Sequence, residues 1–112
     1  MTPDQRERII SRDFWTCQRC GATPDPSRLQ VAHRMHQGKS TEKYINKILI
    51  REHGEYKTMT WIRNNIVDHP LNCVTTCSLE CNGSFNVLFK PVECKKVLDS
   101  ILEDLNIKQK GE

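Results

Sequence analysis

Apolar residues fall at helical spacing in three stretches of the chain and alternate along a fourth. Ile9, Ile10 and Phe14 give one face to a helix over Pro3–Phe14, with Thr2 as its cap and Pro3 in its first turn. Tyr44, Ile45, Ile48 and Leu49 make the apolar stripe of a second helix, Ser40–His53, which Ser40 or Thr41 can cap and Gly54 can end. The clearest helix runs from Pro91 to Ile107, where Val97, Leu98, Ile101, Leu102 and Leu105 repeat. Leu29, Val31, His33 and Met35 alternate along a short strand. A second strand is expected at Leu71–Thr75, after Pro70, and a short helix from Ser78 to about Leu88, weakened by Gly83. The stretch CQRCGATPDPSRLQ reads as turns, and residues 55–68 show no period that assigns them.

Composition limits what such elements can bury. The chain has 112 residues, 37% of them hydrophobic, and its mean hydropathy is −0.63. That is one domain with a thin core, and small loop-rich domains commonly need a metal or covalent link. The opening MTPDQRERII lacks the apolar stretch of a secretory signal, and no apolar run approaches the about 18 residues of a membrane span. The expected setting is the cytoplasm, with no membrane partner, where thiols stay reduced and neighbouring cysteines favour metal over disulfide. A net charge of +3 and a pI near 8.6 are compatible with nucleic acid without requiring it.

Six cysteines supply the candidate link. Cys17 and Cys20 form a C-x2-C pair followed by Gly21, the tight turn that brings two thiolates to one tetrahedral Zn²⁺ at about 2.3 Å. Cys73, Cys77 and Cys81 fall four apart, so spacing alone leaves the second pair open. Four sulfurs on one zinc leave two cysteines over as buried free thiols. A separate feature is the recurrence of Lys39, Lys43, Lys47 and Arg51 every four residues, which places one basic stripe on the second helix. Glu42 and Glu52 interleave with it, as on an ordinary solvated face. Opposite the apolar stripe, it offers contact to DNA phosphates, which carries no sequence information.

Three blocks, the C-x2-C-G at 17–21, VAHR at 31–34 and HPLNCVTTCSLECN at 69–82, resemble the zinc-containing branch of the HNH endonuclease family over roughly residues 6–90. The resemblance implies a small α+β fold: a ββα-metal core, stapled by a four-cysteine zinc site, with an N-terminal helix, a helical insertion and a C-terminal helix. Residues 1–112 then form a single domain, with the core motif at 14–90 and an accessory helix at 91–107. His33, Asn72 and Asn82 match the three motif residues. Their match assigns the zinc to Cys17, Cys20, Cys77 and Cys81, and leaves Cys73 and Cys94 as the free thiols.

That resemblance also implies a chemistry: hydrolysis of DNA phosphodiester bonds, with Mg²⁺ or Mn²⁺ as the catalytic ion and a 5′-phosphate product. His33 is the implied general base, suited to it by an ordinary pKa of about 6.5. Asn72 holds the loop and orients His33, while Asn82 is a hard oxygen ligand for the catalytic ion. Arg34 is placed to contact the scissile phosphate through its fork of donors. Two departures stand out. The second cysteine pair is C-x3-C, and Ala32 occupies the position before the histidine where many members carry a metal ligand. His36 and His69 are weaker candidates, for a phosphate contact or for the ligand absent at Ala32. The expected partner is double-stranded DNA, nicked by a monomer or weak homodimer. The alternative is a catalytically inactive zinc module that binds nucleic acid or a partner protein.

Overall fold

The computed structural model describes residues 1–87 and 90–108, and over these it is a small α+β structure with five helices and one two-stranded sheet. Helix α1 (Pro3–Arg12) opens on a capping box: the Thr2 side chain accepts from the Gln5 N–H at 3.2 Å and Gln5 Oε1 accepts from the Thr2 N–H at 2.8 Å. Its buried residues are Ile9 and Ile10. Phe14, expected to extend that face, does not. The helix stops at Arg12, Phe14 and Trp15 turn the chain back through φ of 56° and 53°, and Phe14 is 84% exposed. The reversal brings Gln18 to β2, where its N–H bonds the Thr75 carbonyl at 3.0 Å.

Strands β1 (Gln30–His33) and β2 (Cys73–Thr76) pair antiparallel, Gln30 with Thr76 and His33 with Cys73. Both are shorter than the sequence suggests, because neighbouring amides are used elsewhere. The Leu29 N–H closes a 3-10 turn at Pro26–Arg28, and the Met35 N–H bonds the Asn72 side chain. Leu71 and Asn72 lie in a 3-10 turn (Pro70–Asn72) rather than in β2, set by proline at its first position and by His69 Nδ1 accepting from the Leu71 N–H. A two-stranded ribbon is marginal alone. Here α1 packs against both strands, as does α4 (Leu79–Ser84).

Between the strands lies the helical insertion. Helix α2 (Lys39–Ile48) runs on through a wider π turn, Leu49–His53, and Gly54 ends it at φ 67°. Residues 55–68, unassigned by pattern, contain α3 (Met59–Ile62), capped by Thr58, and a second π turn, Arg63–Val67. Tyr44, expected to face inward, is 44% exposed. Helix α5 (Pro91–Asp104) closes the core, with Met35, Ile45, Leu49, Ile62, Ile66, Leu98 and Ile101 buried together. The short helix expected from Ser78 ends at Ser84, and its expected limit at Leu88 lies outside the described residues. No helix among the described residues is long and apolar enough to cross a membrane.

Candidate functional site

Cys17 and Cys20 sit on the turn that follows α1. The Gly21 N–H bonds the Cys17 carbonyl and the Cys17 N–H bonds the Ala22 carbonyl, each at 2.9 Å, and Gly21 takes φ 76°. Cys77 follows β2. Cys81 lies in the first turn of α4, held by Ser78, whose hydroxyl accepts from the Cys81 N–H at 3.1 Å. The residue directly after Cys77 is thus the helix cap. The four sulfurs lie within 4.8 Å of one another, with 3.4 Å between Cys20 and Cys77 and 3.9 Å between Cys77 and Cys81. Sulfurs on one tetrahedral zinc stand roughly 3.8 Å apart, so the cluster fits that ion.

Electrostatics at the cluster are uneven. Burial pushes the Cys17 thiol up, but the N–H groups of Cys20 and Arg19 outweigh it and bring it to about 6. Cys77 is pushed up to about 12 by its hydrogen bonds with the Cys20 and Cys17 sulfurs. Cys73 and Cys94 lie outside the cluster. Both are buried, and burial pushes Cys73 to about 12 and raises Cys94. A closed four-sulfur site has no open position for substrate.

His33 ends β1, three residues along the ribbon from Gln30, which pairs beside the cysteines. That is about 10 Å of strand. Asn72, fully buried, fixes this end: its Oδ1 accepts from the Met35 N–H at 2.8 Å, and its Nδ2 donates to the carbonyls of Val67 at 2.8 Å and Met35 at 3.1 Å. Its own carbonyl accepts from the Arg34 N–H at 2.7 Å. Asn72→Ala would leave the Met35 N–H and two carbonyls without this partner. At about 1–3 kcal/mol for a buried group left unpaired, stability is expected to fall by roughly 3 kcal/mol or more, read as a lower urea midpoint. Asn72→Asp is expected to fare no better, since a carboxylate supplies no N–H for the Val67 and Met35 carbonyls.

The side chain of His33 is only 13% exposed. Burial lowers its pKa, and a hydrogen bond and charge from Asp68 recover only part of the shift, so the imidazole is neutral at pH 7. Asp68 was not among the candidates from sequence, yet its Oδ1 lies 3.0 Å from His33 Nε2 and accepts from Gln37 Nε2 at 3.2 Å. Its position next to the HPLN block was the available signal. Arg34 lies over the Phe85 ring, 5.4 Å from its centroid, and the Val87 N–H bonds its carbonyl at 2.9 Å. Asn82 is half-buried on α4, which packs against β1.

His69 has both ring nitrogens engaged, Nδ1 by the Leu71 N–H and Nε2 by Asp104 at 2.7 Å, so it pins α5 to the turn and has no lone pair free for a metal. His36 is exposed. Lys39, Lys43, Lys47 and Arg51 are all exposed along α2 and its π turn. Glu42, which the sequence places among them, is instead fully buried and takes Arg63 Nε at 2.8 Å. Glu52 is turned to Lys95 at 3.4 Å. No protein-family model matches the chain, and no curated protein or solved structure does either, so what the site does must be read from its own groups.

Proposed function

We propose that this chain is a metal-dependent endonuclease of the HNH type, built on a ββα-metal core and nicking double-stranded DNA. What carries the reading is His33: a neutral, mostly buried imidazole at a strand end, locked through Asn72, with an arginine next to it in sequence. Such an imidazole can take a proton from the attacking water as the phosphodiester is hydrolysed. Arg34, steadied over Phe85, offers its donors to the phosphate. The exposed row Lys39, Lys43, Lys47 and Arg51, freed of Glu42, suits the backbone of a duplex. The zinc among the cysteines holds the turn after α1 to the start of α4 and has no part in the reaction.

A second cation would neutralise charge at the phosphate. Among the described residues the four cysteines are the single cluster of three or more Cys, His, Asp or Glu donors. Asn82 is therefore the protein ligand proposed for Mg²⁺ or Mn²⁺, with water and phosphate oxygens completing the shell. The zinc-loaded protein is expected to relax supercoiled plasmid in the presence of Mg²⁺ or Mn²⁺ and not without them. Plasmid left supercoiled under all three conditions would exclude the nuclease.

One observation favours the other reading, a zinc module that binds without cutting. Ala32 is fully buried opposite Val74, on the face of β1 away from His33. That module would retard DNA on a gel with or without the divalent ion and never relax it.

A further inference from the structure

Asp68 has no part in the chemistry above, yet it is the nearest charged group to the imidazole. We propose that Asp68 is the positioning residue of His33: it accepts the Nε2 proton and so leaves Nδ1 as the nitrogen that receives a proton from water. This rests on the reading of His33 as the base.

A carboxylate can only accept, so the 3.0 Å contact requires the hydrogen on His33 Nε2. A neutral imidazole with its hydrogen there presents a bare lone pair at Nδ1. Among the described residues nothing bonds Nδ1, and it is not one of the buried polar atoms sealed from solvent. The carboxylate is itself fixed. Its side chain is 4% exposed, Gln37 Nε2 holds the same oxygen at 3.2 Å, and the Asp68 N–H bonds the Arg63 carbonyl at 2.9 Å.

The two partners are also tied to one another. Asn72 Nδ2 holds the carbonyl of Val67, one residue before Asp68, and Asn72 Oδ1 holds the N–H of Met35, two residues after His33. One buried amide therefore fixes the spacing between acceptor and imidazole. The other groups facing the pair are few. The amino group of Met1 lies 3.4 Å from Asp68 Oδ2, the oxygen His33 does not use. Arg63 acts on Asp68 and His36 on His33 through charge, while Cys73, paired with His33 across the strands, stays a neutral thiol.

Two measurements on the zinc-loaded full chain test this. The first is the ¹⁵N spectrum of the His33 ring at neutral pH, assigned with a His33→Asn variant. The expected result is a protonated Nε2 and a bare Nδ1. A hydrogen on Nδ1 would overturn the proposal, and this readout stands even if the wild type never cuts, an outcome that would sink only the nuclease reading. The second is plasmid nicking by Asp68→Asn, which keeps an acceptor oxygen and loses the charge. Its plateau rate is expected to fall roughly 10- to 100-fold or more, the lower range being that of carboxylates that orient metal-bound imidazoles.

The sign of the pH effect follows from the charge. Asp68 raises the pKa of His33 against burial, so without the charge the pKa drops further and the acid limb of the rate profile moves to lower pH. A merely structural Asp68 would leave that limb in place. An unmoved limb with a raised Mg²⁺ requirement would instead make Asp68 a metal ligand. Either outcome would overturn the proposal. Should Asp68→Asn lose its thermal transition, the wild-type ring spectrum alone decides.

Discussion

Chelation of the zinc-loaded protein, with Cys17, Cys20, Cys77 and Cys81 as the proposed ligands, is expected to abolish its cooperative thermal transition, not merely lower it. The strands that carry the site have four residues each, and a two-stranded ribbon does not persist in water without help. The helical core of Ile45, Leu49, Ile62, Ile66, Leu98 and Ile101 includes Met35 and Val67, which Asn72 ties to the His33 end of the ribbon. At the cysteine end α1 and α4 pack on the ribbon, and the cluster, with sulfurs 3.4 and 3.9 Å apart, joins the turn after α1 to α4. Hydrogen bonds with the Cys20 and Cys17 sulfurs push Cys77 up to about 12, while the N–H groups of Cys20 and Arg19 draw Cys17 to about 6. A cation replaces the contacts between sulfurs with four bonds. Structural zinc contributes roughly 10–16 kcal/mol in small domains, comparable to the about 5–15 kcal/mol by which whole domains are stable. Metal analysis should return about one zinc per chain. Cys20→Ala is the sharpest variant because Cys20 is exposed, so its loss opens no cavity. It should lose the ion, and with it the cooperative transition. An unchanged melt after complete chelation would refute the staple.

How far the sequence carried depends on the range of each interaction. Pro3–Arg12, Lys39–Ile48 and Pro91–Asp104 announce themselves because helix period is local, although α2 starts on Gly38 with neither Ser40 nor Thr41 as its cap, and α5 stops at Asp104, short of Ile107. The π turn at Arg63–Val67 hid the helix in residues 55–68, since its wider turn breaks the 3.6-residue period on which the reading relies. Leu71 looked like a strand residue on apolar character, but the 3-10 turn begun at Pro70 takes it out of β2. Phe14 failed as a core residue because the chain must reverse to deliver Cys17. The charge of Glu42 points to a solvated position, whereas Arg63, 21 residues on, pairs with it in the core.

The site divides the same way. The cluster formed is the one selected by the resemblance through Asn72, while spacing alone left Cys73 in contention. Asp68 could not be paired with His33 from sequence, since 35 residues separate them and the link runs through the side chain of Asn72.

Replacing His33 by alanine is expected to leave the protein folded and remove the proposed nicking activity. The imidazole has one hydrogen bond, to Asp68, and its loss leaves that carboxylate with Gln37 and the Met1 amino group. The cost is about 1–3 kcal/mol, less than the about 5–15 kcal/mol by which whole domains are stable. A general base typically accounts for roughly 10²- to 10⁴-fold in rate, so initial rates at saturating Mg²⁺ should fall by that factor. DNA affinity should hold, because the exposed row from Lys39 to Arg51 is untouched. That split is the informative part. An interaction made only in the transition state lowers kcat and kcat/KM together, whereas a lost phosphate contact raises KM. His33→Ala should therefore bind as the parent does and turn over far more slowly. A variant that cuts at the parent's rate would place the base elsewhere, and one that loses binding first would make His33 a contact to DNA.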